Sequence, residues 1–501
     1  MELLSNLAIG LEAAVTPANL MYCFIGALLG TLIGVLPGIG PTATVAMLLP
    51  LTFSLDPLAS LIMLAGIYYG AQYGGSTTAI LINVPGEASA AVTAIDGHQM
   101  ARQGRAGPAL AIVAIGSFVA GTFATFLVAI LAKPLTAVAL QFGPPEYFAL
   151  VTLGLISSVA LAHGSIVKAL AAIAIGILFG TVGADLYTGA PRFTFGVLEL
   201  TNGFDFVAMA IGLFGISEIL RNLEGQQALS LVTKKITGLM PTREDLRAAT
   251  NPIIRGSLIG SAVGILPGGG AALASFLAYS VEKKLSDTPE RFGQGAIEGI
   301  AAPESANNAG AQTSFIPMLT LGIPTNPIMA LMIGVMMIQG IIPGPSVAIE
   351  QPSLFWGVIA SMWIGNLMLL ILNLPLVGIW VKLLMIPYSL MFPAILVFSS
   401  VGLYTINSNA FDLYTVSMFG LFGYFLYKLD FEPAPLLLAF VLGPMLEDNL
   451  RRSLMLSQGD PAILFTRPIS AGLLLVTALM LVIAVLPFVR KKREVIFEEE
   501  A

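Results

Sequence analysis

Residues 26–40 read GALLGTLIGVLPGIG, and residues 256–270 read GSLIGSAVGILPGGG. Gly26, Leu28, Gly30, Gly34, Leu36, Pro37, Gly38 and Gly40 recur 230 positions on as Gly256, Leu258, Gly260, Gly264, Leu266, Pro267, Gly268 and Gly270, so eight of fifteen positions are identical. A glycine every fourth residue lets one membrane helix lie backbone to backbone on another. Pro-Gly-x-Gly then stops the helix, because proline carries no N–H and glycine accepts conformations that other residues avoid. Two such interruptions at matching places in two halves are the pattern of a transporter built from internal repeats, with its substrate site where the broken segments meet.

Composition sets the solvent. Of 501 residues, 56% are hydrophobic and 10% charged, far below the roughly 25% charged residues of soluble domains. Apolar stretches of spanning length recur at 19–36, 108–132, 165–184, 355–375 and 469–487. The chain therefore reads as an all-α polytopic membrane protein embedded in the lipid bilayer, with about ten to twelve transmembrane helices. Its net charge of −6 is scattered over loops, which implies neither a nucleic-acid partner nor a soluble catalytic domain. The single cysteine, Cys23, excludes an intramolecular disulfide and reads as packing. Residues 1–19 hold no Lys or Arg, so the basic start of a cleavable signal peptide is missing and the first helix is expected to be retained.

Charge placement gives an orientation. Lys234, Lys235, Arg243 and Arg247 mark a cytoplasmic connector, so the second repeat starts inside, whereas the first follows a tail without basic residues and starts outside. The stretch after the first repeat carries His98, Arg102 and Arg105, while its counterpart at 339–351 carries no basic residue. Both comparisons invert together, as in an inverted-topology repeat. The expected organisation is a first membrane repeat at 1–220, a connector at 221–252, a second membrane repeat at 253–489 and a cytoplasmic tail at 490–501 that includes Arg490 and Arg493. Within each repeat the Pro-Gly break is expected at the tip of a re-entrant hairpin. Arms of about 14 residues reach roughly 20 Å, short of the roughly 30 Å hydrocarbon core. An ordinary helix pair joined by a Gly-Pro turn is the plainer alternative. Arg451 and Arg452 fit the charge rule poorly if 435–445 is a full span.

A second pair of breaks is expected at 69–86, YGAQYGGSTTAILINVPG, and at 303–314, PESANNAGAQTS, followed by LGIPT at 321–325. Small polar residues, glycines and prolines in a hydrophobic run point to backbone groups that have left the helical ladder. Hydroxyl, amide and carbonyl oxygens there suit an alkali cation, although membrane helices also use such residues simply to pack. Intramembrane carboxylates are functional by default. Glu304 is the foremost candidate, Glu87 the next, and Asp96, beside His98 and Arg102, reads as part of a cytoplasmic turn. Lys133, Lys168 and Lys382 lie near apolar segments but outside the repeated breaks. No Gly-Lys dipeptide and no H-E-x-x-H motif occurs, so neither a phosphate-binding loop nor a zinc hydrolase site is expected, no catalytic or metal residue is assigned, and the chain is not read as an enzyme.

The segments GVLPGIG (34–40), YGAQYGGSTTAILINVPGEAS (69–89), DGHQMARQGRAGP (96–108), ESANNAG (304–310) and LGIPT (321–325) together resemble the large membrane subunit of the tripartite tricarboxylate transporters, the TctA type, over nearly the whole chain. The resemblance implies a secondary transporter of the bacterial inner membrane. It implies two kinds of partner, a small membrane subunit of about four helices and a periplasmic solute-binding protein, and it is compatible with a homo-oligomer. It also implies uptake of carboxylates, citrate being the type substrate, with Na⁺ or H⁺ as coupling ion and no other cofactor. An anion could sit at the N-termini of half-helices starting after Gly40, Gly75, Gly270 and Gly310. The expected substrate residues are therefore Pro37, Gly38, Gly40, Gly75, Ser76, Pro267, Gly268, Gly270 and Gly310, and the expected cation residues Thr77, Thr78, Asn83, Glu304, Asn307, Asn308 and Thr313. The competing function is a passive channel or a structural scaffold of a transport complex.

Overall fold

A computed structural model describes residues 2–36, 40–161, 165–224, 238–266, 270–384 and 388–485; Pro37, Gly38, Pro267, Gly268, Lys234, Lys235 and the tail from 486 lie outside the described residues. The described chain is all-α apart from a two-stranded antiparallel pair, Gly183–Ala184 with Pro191–Arg192. The helices that build the centre are α1 (Pro17–Gly34), α2 (Pro41–Thr52), α3 (Pro57–Ile82), α4 (Ala91–Arg102), α5 (Ala106–Ala139), α6 (Arg243–Gly264), α7 (Gly270–Leu285) and α8 (Glu298–Thr313). Pro17, Pro41 and Pro57 occupy first turns, where a missing N–H costs nothing. Asp56 caps α3 by accepting the Leu58 N–H, and a Thr242–Asp245 capping box opens α6. Four helices among the described residues are individually long and apolar enough to cross a membrane: Pro17–Gly34, Ala106–Ala139, Phe206–Glu224 and Pro352–Asn373. On α5, the exposed side chains of Val119, Phe123, Phe126 and Ile130 form a stripe at helical spacing, while Gly116, Ala120 and Ala124 turn inward onto α8.

The duplicated glycines make duplicated seams. A Cβ added at Gly26, Gly30 or Gly34 of α1 would lie 2.2, 2.3 or 2.3 Å from the carbonyl oxygens of Met63, Ile67 and Ala71 of α3. A Cβ added at Gly256, Gly260 or Gly264 of α6 would lie 2.3, 2.2 or 2.2 Å from those of Ala302, Ala306 and Gly310 of α8. No side chain fits either seam. The offset between halves is 230 along the glycine helices but 239 along their partners (63 to 302, 67 to 306, 71 to 310), so the halves carry the same packing with a nine-residue difference in the connection. At the end of each seam a hydroxyl from the partner helix or its cap lies beside the last carbonyls: Thr78 Oγ1 is 3.3 Å from Gly34 O and 3.2 Å from Val35 O, and Ser314 Oγ, bonded to Gly310 O at 2.7 Å, is 3.4 Å from Gly264 O.

The second breaks fall elsewhere than expected. α3 runs unbroken through Gly74, Gly75 and Ser76 and ends only at Asn83, which adopts a left-handed conformation (φ 59°). α8 likewise continues through Gly310 to Thr313. The threonine hydroxyls that signalled a break instead donate to the carbonyl one turn back on their own helix, Thr78 to Gly74 O and Thr313 to Ala309 O, and Ser76 Oγ lies 3.1 Å from Gln72 O. With no water to compete in an apolar interior, that bond leaves the helical ladder intact. Helices do start after Gly40 and at Gly270, but none starts directly after Gly75 or Gly310. The arms differ in length: α6 has 22 residues, of which the polar stretch 243–254 precedes Arg255, whereas α2 has 12 and α7 has 16.

The troublesome arginines near the end of the chain sit in one continuous helix, Pro433–Leu456, which runs on through Pro444. Arg451 pairs with Asp185 at 2.8 Å and Glu447 at 2.7 Å, and Arg452 with Asp448 at 3.1 Å, so their charge is neutralised locally.

Candidate substrate and ion site

Residues spaced by four share a helix face, and Tyr68, Gln72 and Ser76 form such a line along α3. Facing it, α8 presents Glu304, fully buried in mid-helix rather than at a cap. Ser76 Oγ donates to Glu304 Oε2 at 2.7 Å, and Thr93 of α4 donates to Oε1. A carboxyl of the second half is thus held by two hydroxyls of the first. Glu87, just before the short turn Ala88–Ala90, accepts from the Ser89 hydroxyl and from Asn307 Nδ2 at 3.2 Å. Asn308 Nδ2 donates to Ser117 Oγ at 2.7 Å and to Glu304 O at 3.1 Å. No Lys, Arg or His among the described residues joins the hydrogen bonds of Glu304 or Glu87. On the other side of the line, Asn326 Nδ2 lies 3.4 Å from Tyr68 Oη and 3.3 Å from Ser314 Oγ. A polar track therefore runs between the ends of the two seams.

The other expected residues divide as follows. Gly75 lies beneath Glu87, since a Cβ there would be 3.1 Å from Glu87 Cγ, and Gly310 lies beneath Gly264. Gly40 and Gly270 open α2 and α7, and a Cβ added at either would meet no atom within 4 Å. Thr77, Thr78 and Thr313 are buried with their hydroxyls turned onto backbone carbonyls. Asn83 is exposed at the end of α3 and takes no part in the hydrogen bonds of the track.

Asp96 differs from its expected place in a cytoplasmic turn. It is fully buried; Oδ1 accepts the N–H groups of Gly293, Gly295 and Ala296, each at 2.8 Å, and Oδ2 accepts the Tyr279 hydroxyl at 3.0 Å. Four donors satisfy a carboxylate that has left water, and they fix the loop that delivers α8. Neither Asp96 nor Thr93 announces this role locally, because their partners lie about 200 residues away in sequence. Gln72 had a signal, the four-residue spacing with Tyr68 and Ser76.

A separate cavity of about 370 Å³ opens near the strand pair, lined by Asp185, Arg192, Glu447 and Asp448 among others. The Thr188 N–H, with further bonds from Tyr187 and Arg451, holds the Asp185 carboxyl well below the usual carboxylate range. Its charges are paired with one another.

The model of the tripartite tricarboxylate transporter TctA family matches residues 20–438. A protein of Agrobacterium vitis described as an uncharacterized 52.8 kDa protein in the TAR-I ttuC' 3'region is 61% identical over 500 residues, 100% of each chain. A second from the same organism, described as an uncharacterized protein in the TAR-II ttuC' 3'region, is 59% identical over 241 residues, 48% of this chain and 100% of that one. No solved structure matches.

Proposed function

The chain belongs to the tripartite tricarboxylate transporter TctA family, a multi-pass membrane transporter subunit, and from that premise we propose that it imports an organic carboxylate, citrate or a relative, by alternating access across the bacterial inner membrane. It takes its substrate from a periplasmic binding protein and works beside a small membrane subunit, with its own C-terminus in the cytoplasm. The repeats at 1–220 and 253–489 lie inverted in the bilayer, and their Pro-Gly tips meet the substrate.

One observation carries this reading: two carboxyl side chains, Glu304 and Glu87, face each other's half of the chain through hydroxyl and amide bonds, and no basic side chain among the described residues shares those bonds. A carboxylate in an apolar interior is costly unless a cation or a proton neutralises it. Na⁺ or H⁺ at Glu304, aided by oxygens of Asn307, Asn308 and the nearby threonines, would supply that charge and lower the cost of an incoming anion. The N-termini of α2 and α7 add partial positive charge. Linkage then requires each ligand to raise the other's affinity by the same factor.

The test is counterflow of labelled citrate in proteoliposomes holding the chain and its partner subunits, with Na⁺ and pH varied separately. Exchange that depends on one of the two cations is expected, and Glu304→Gln should abolish that dependence. Flux without counterflow would mean a channel, and no flux that requires this chain would mean a scaffold.

A further inference from the structure

Gln72 is fully buried, and neither its amide nitrogen nor its amide oxygen has a hydrogen-bond partner. Among the described residues it is the side chain with both amide atoms left over; Asn307, Gln312, Gln339 and Asn373 each leave one oxygen. Asn366 shows how an amide of this interior can be bonded through both atoms. Asn366 donates through Nδ2 to Phe118 O at 2.8 Å and Thr122 Oγ1 at 3.1 Å, and accepts the Tyr73 hydroxyl at 3.0 Å. Gln72 therefore stands out as the amide with both atoms unbonded, and leaving an amide unbonded in an apolar medium costs stability.

Its position is equally specific. One turn along α3, Ser76 bonds Glu304; one turn back, Tyr68 meets Asn326, which reaches Ser314 at the end of the second seam. The Gln72 amide lies near the Tyr68 phenol but outside hydrogen-bonding geometry. The polar track is bonded on both sides of Gln72 and broken at it.

We propose that Gln72 recognises the transported molecule, its amide nitrogen donating to a carboxylate and its amide oxygen accepting from a hydroxyl of the same molecule. An ionised carboxylate offers acceptors only, so it can answer the nitrogen but not the oxygen. A hydroxycarboxylate satisfies both atoms at once. The inference rests on the carboxylate-transport reading above and narrows it to that class. A site that bonds a hydroxyl rejects the analogue lacking it, because its own polar atom is then left unpaired.

The experiment compares the unmutated chain with Gln72→Leu, in the purified membrane complex without the binding protein and in proteoliposomes with it. The probes are malate against succinate and citrate against tricarballylate, each pair differing by one hydroxyl. The unmutated complex should gain more thermal stability from the hydroxylated member. Gln72→Leu should lose that preference and need about tenfold more hydroxyacid for half-maximal transport, the loss of roughly one good hydrogen bond. Its ligand-free melting temperature should hold or rise, since a leucine there leaves nothing unbonded. A fall in the ligand-free melting temperature would make Gln72 a structural residue and overturn the proposal. So would unchanged half-saturation in Gln72→Leu, or equal response of the unmutated complex to both members of each pair. If the unmutated complex transports no carboxylate, the function itself is wrong, a result distinct from any of these.

Discussion

The two glycine seams are near copies, but the arms that follow them are held in different ways. α7 turns back onto its own hairpin: Arg255 of α6 bonds Glu282 of α7 through both Nε, at 2.8 Å, and Nη2, and Ser275 Oγ of α7 reaches Pro303 O of α8 at 3.2 Å. α2 has no charged residue at all. It leans on α3 and on later parts of the chain, with Met47 against Gly215 in the π-helical segment Ile211–Ile216 and Pro50 against Gly402. The duplicated element is the seam, whereas the support of the second arm is particular to each half. Equal sensitivity is therefore expected in the seams and unequal sensitivity in the arms.

The largest expected effect tests the equality. Gly30→Ile and Gly260→Ile each drive a side chain into a backbone carbonyl that cannot rotate away, and each should cost at least about 3 kcal/mol. Loss of monodisperse protein in size-exclusion chromatography would register both. If one is tolerated and the other is not, the seams are not equivalent.

A middle effect tests the inequality. Removing Arg255 leaves Glu282, whose side chain is 5% exposed, without its partner, and Arg255→Met should cost about 2 kcal/mol, less than a fully buried pair because the arginine is partly solvated. The double variant Arg255→Met with Glu282→Met should recover most of that loss in thermal melting. A double variant as unstable as the single one would show that the pair does not hold the arm.

The smallest effect sharpens the match at the seam ends. Thr78→Ala and Ser314→Ala each remove one hydroxyl from the last carbonyls of a seam and should lower stability by about 1 kcal/mol. A loss confined to one of them, read in the same melting assay, would show that the nine-residue shift has moved the capping role.

What the sequence carried was local. Glycine every fourth residue and the helix ends at Gly34 and Gly264 are legible because backbone approach and helix termination depend on neighbours within a few positions. The stretch 69–86 misled for a related reason: Ser76 and Thr78 have the same composition whether their hydroxyls serve a ligand or the carbonyl one turn back. The partners of Glu304 were out of reach, since Ser76 and Thr93 lie 228 and 211 positions away. Glu304 itself could be singled out, because an acid in an apolar run is conspicuous without knowledge of its neighbours.

Asp96 imposes an order on synthesis. Its backbone donors at 293, 295 and 296 are made about 200 residues later, which at 5–20 residues per second is roughly 10–40 s. During that interval the nascent first half carries a carboxylate whose donors do not yet exist. The first half therefore reaches its final hydrogen bonding at Asp96 only once residues 293–296 exist. The last loop before α8 is what closes the first half, so the earlier half waits on the later one before its own interior is finished.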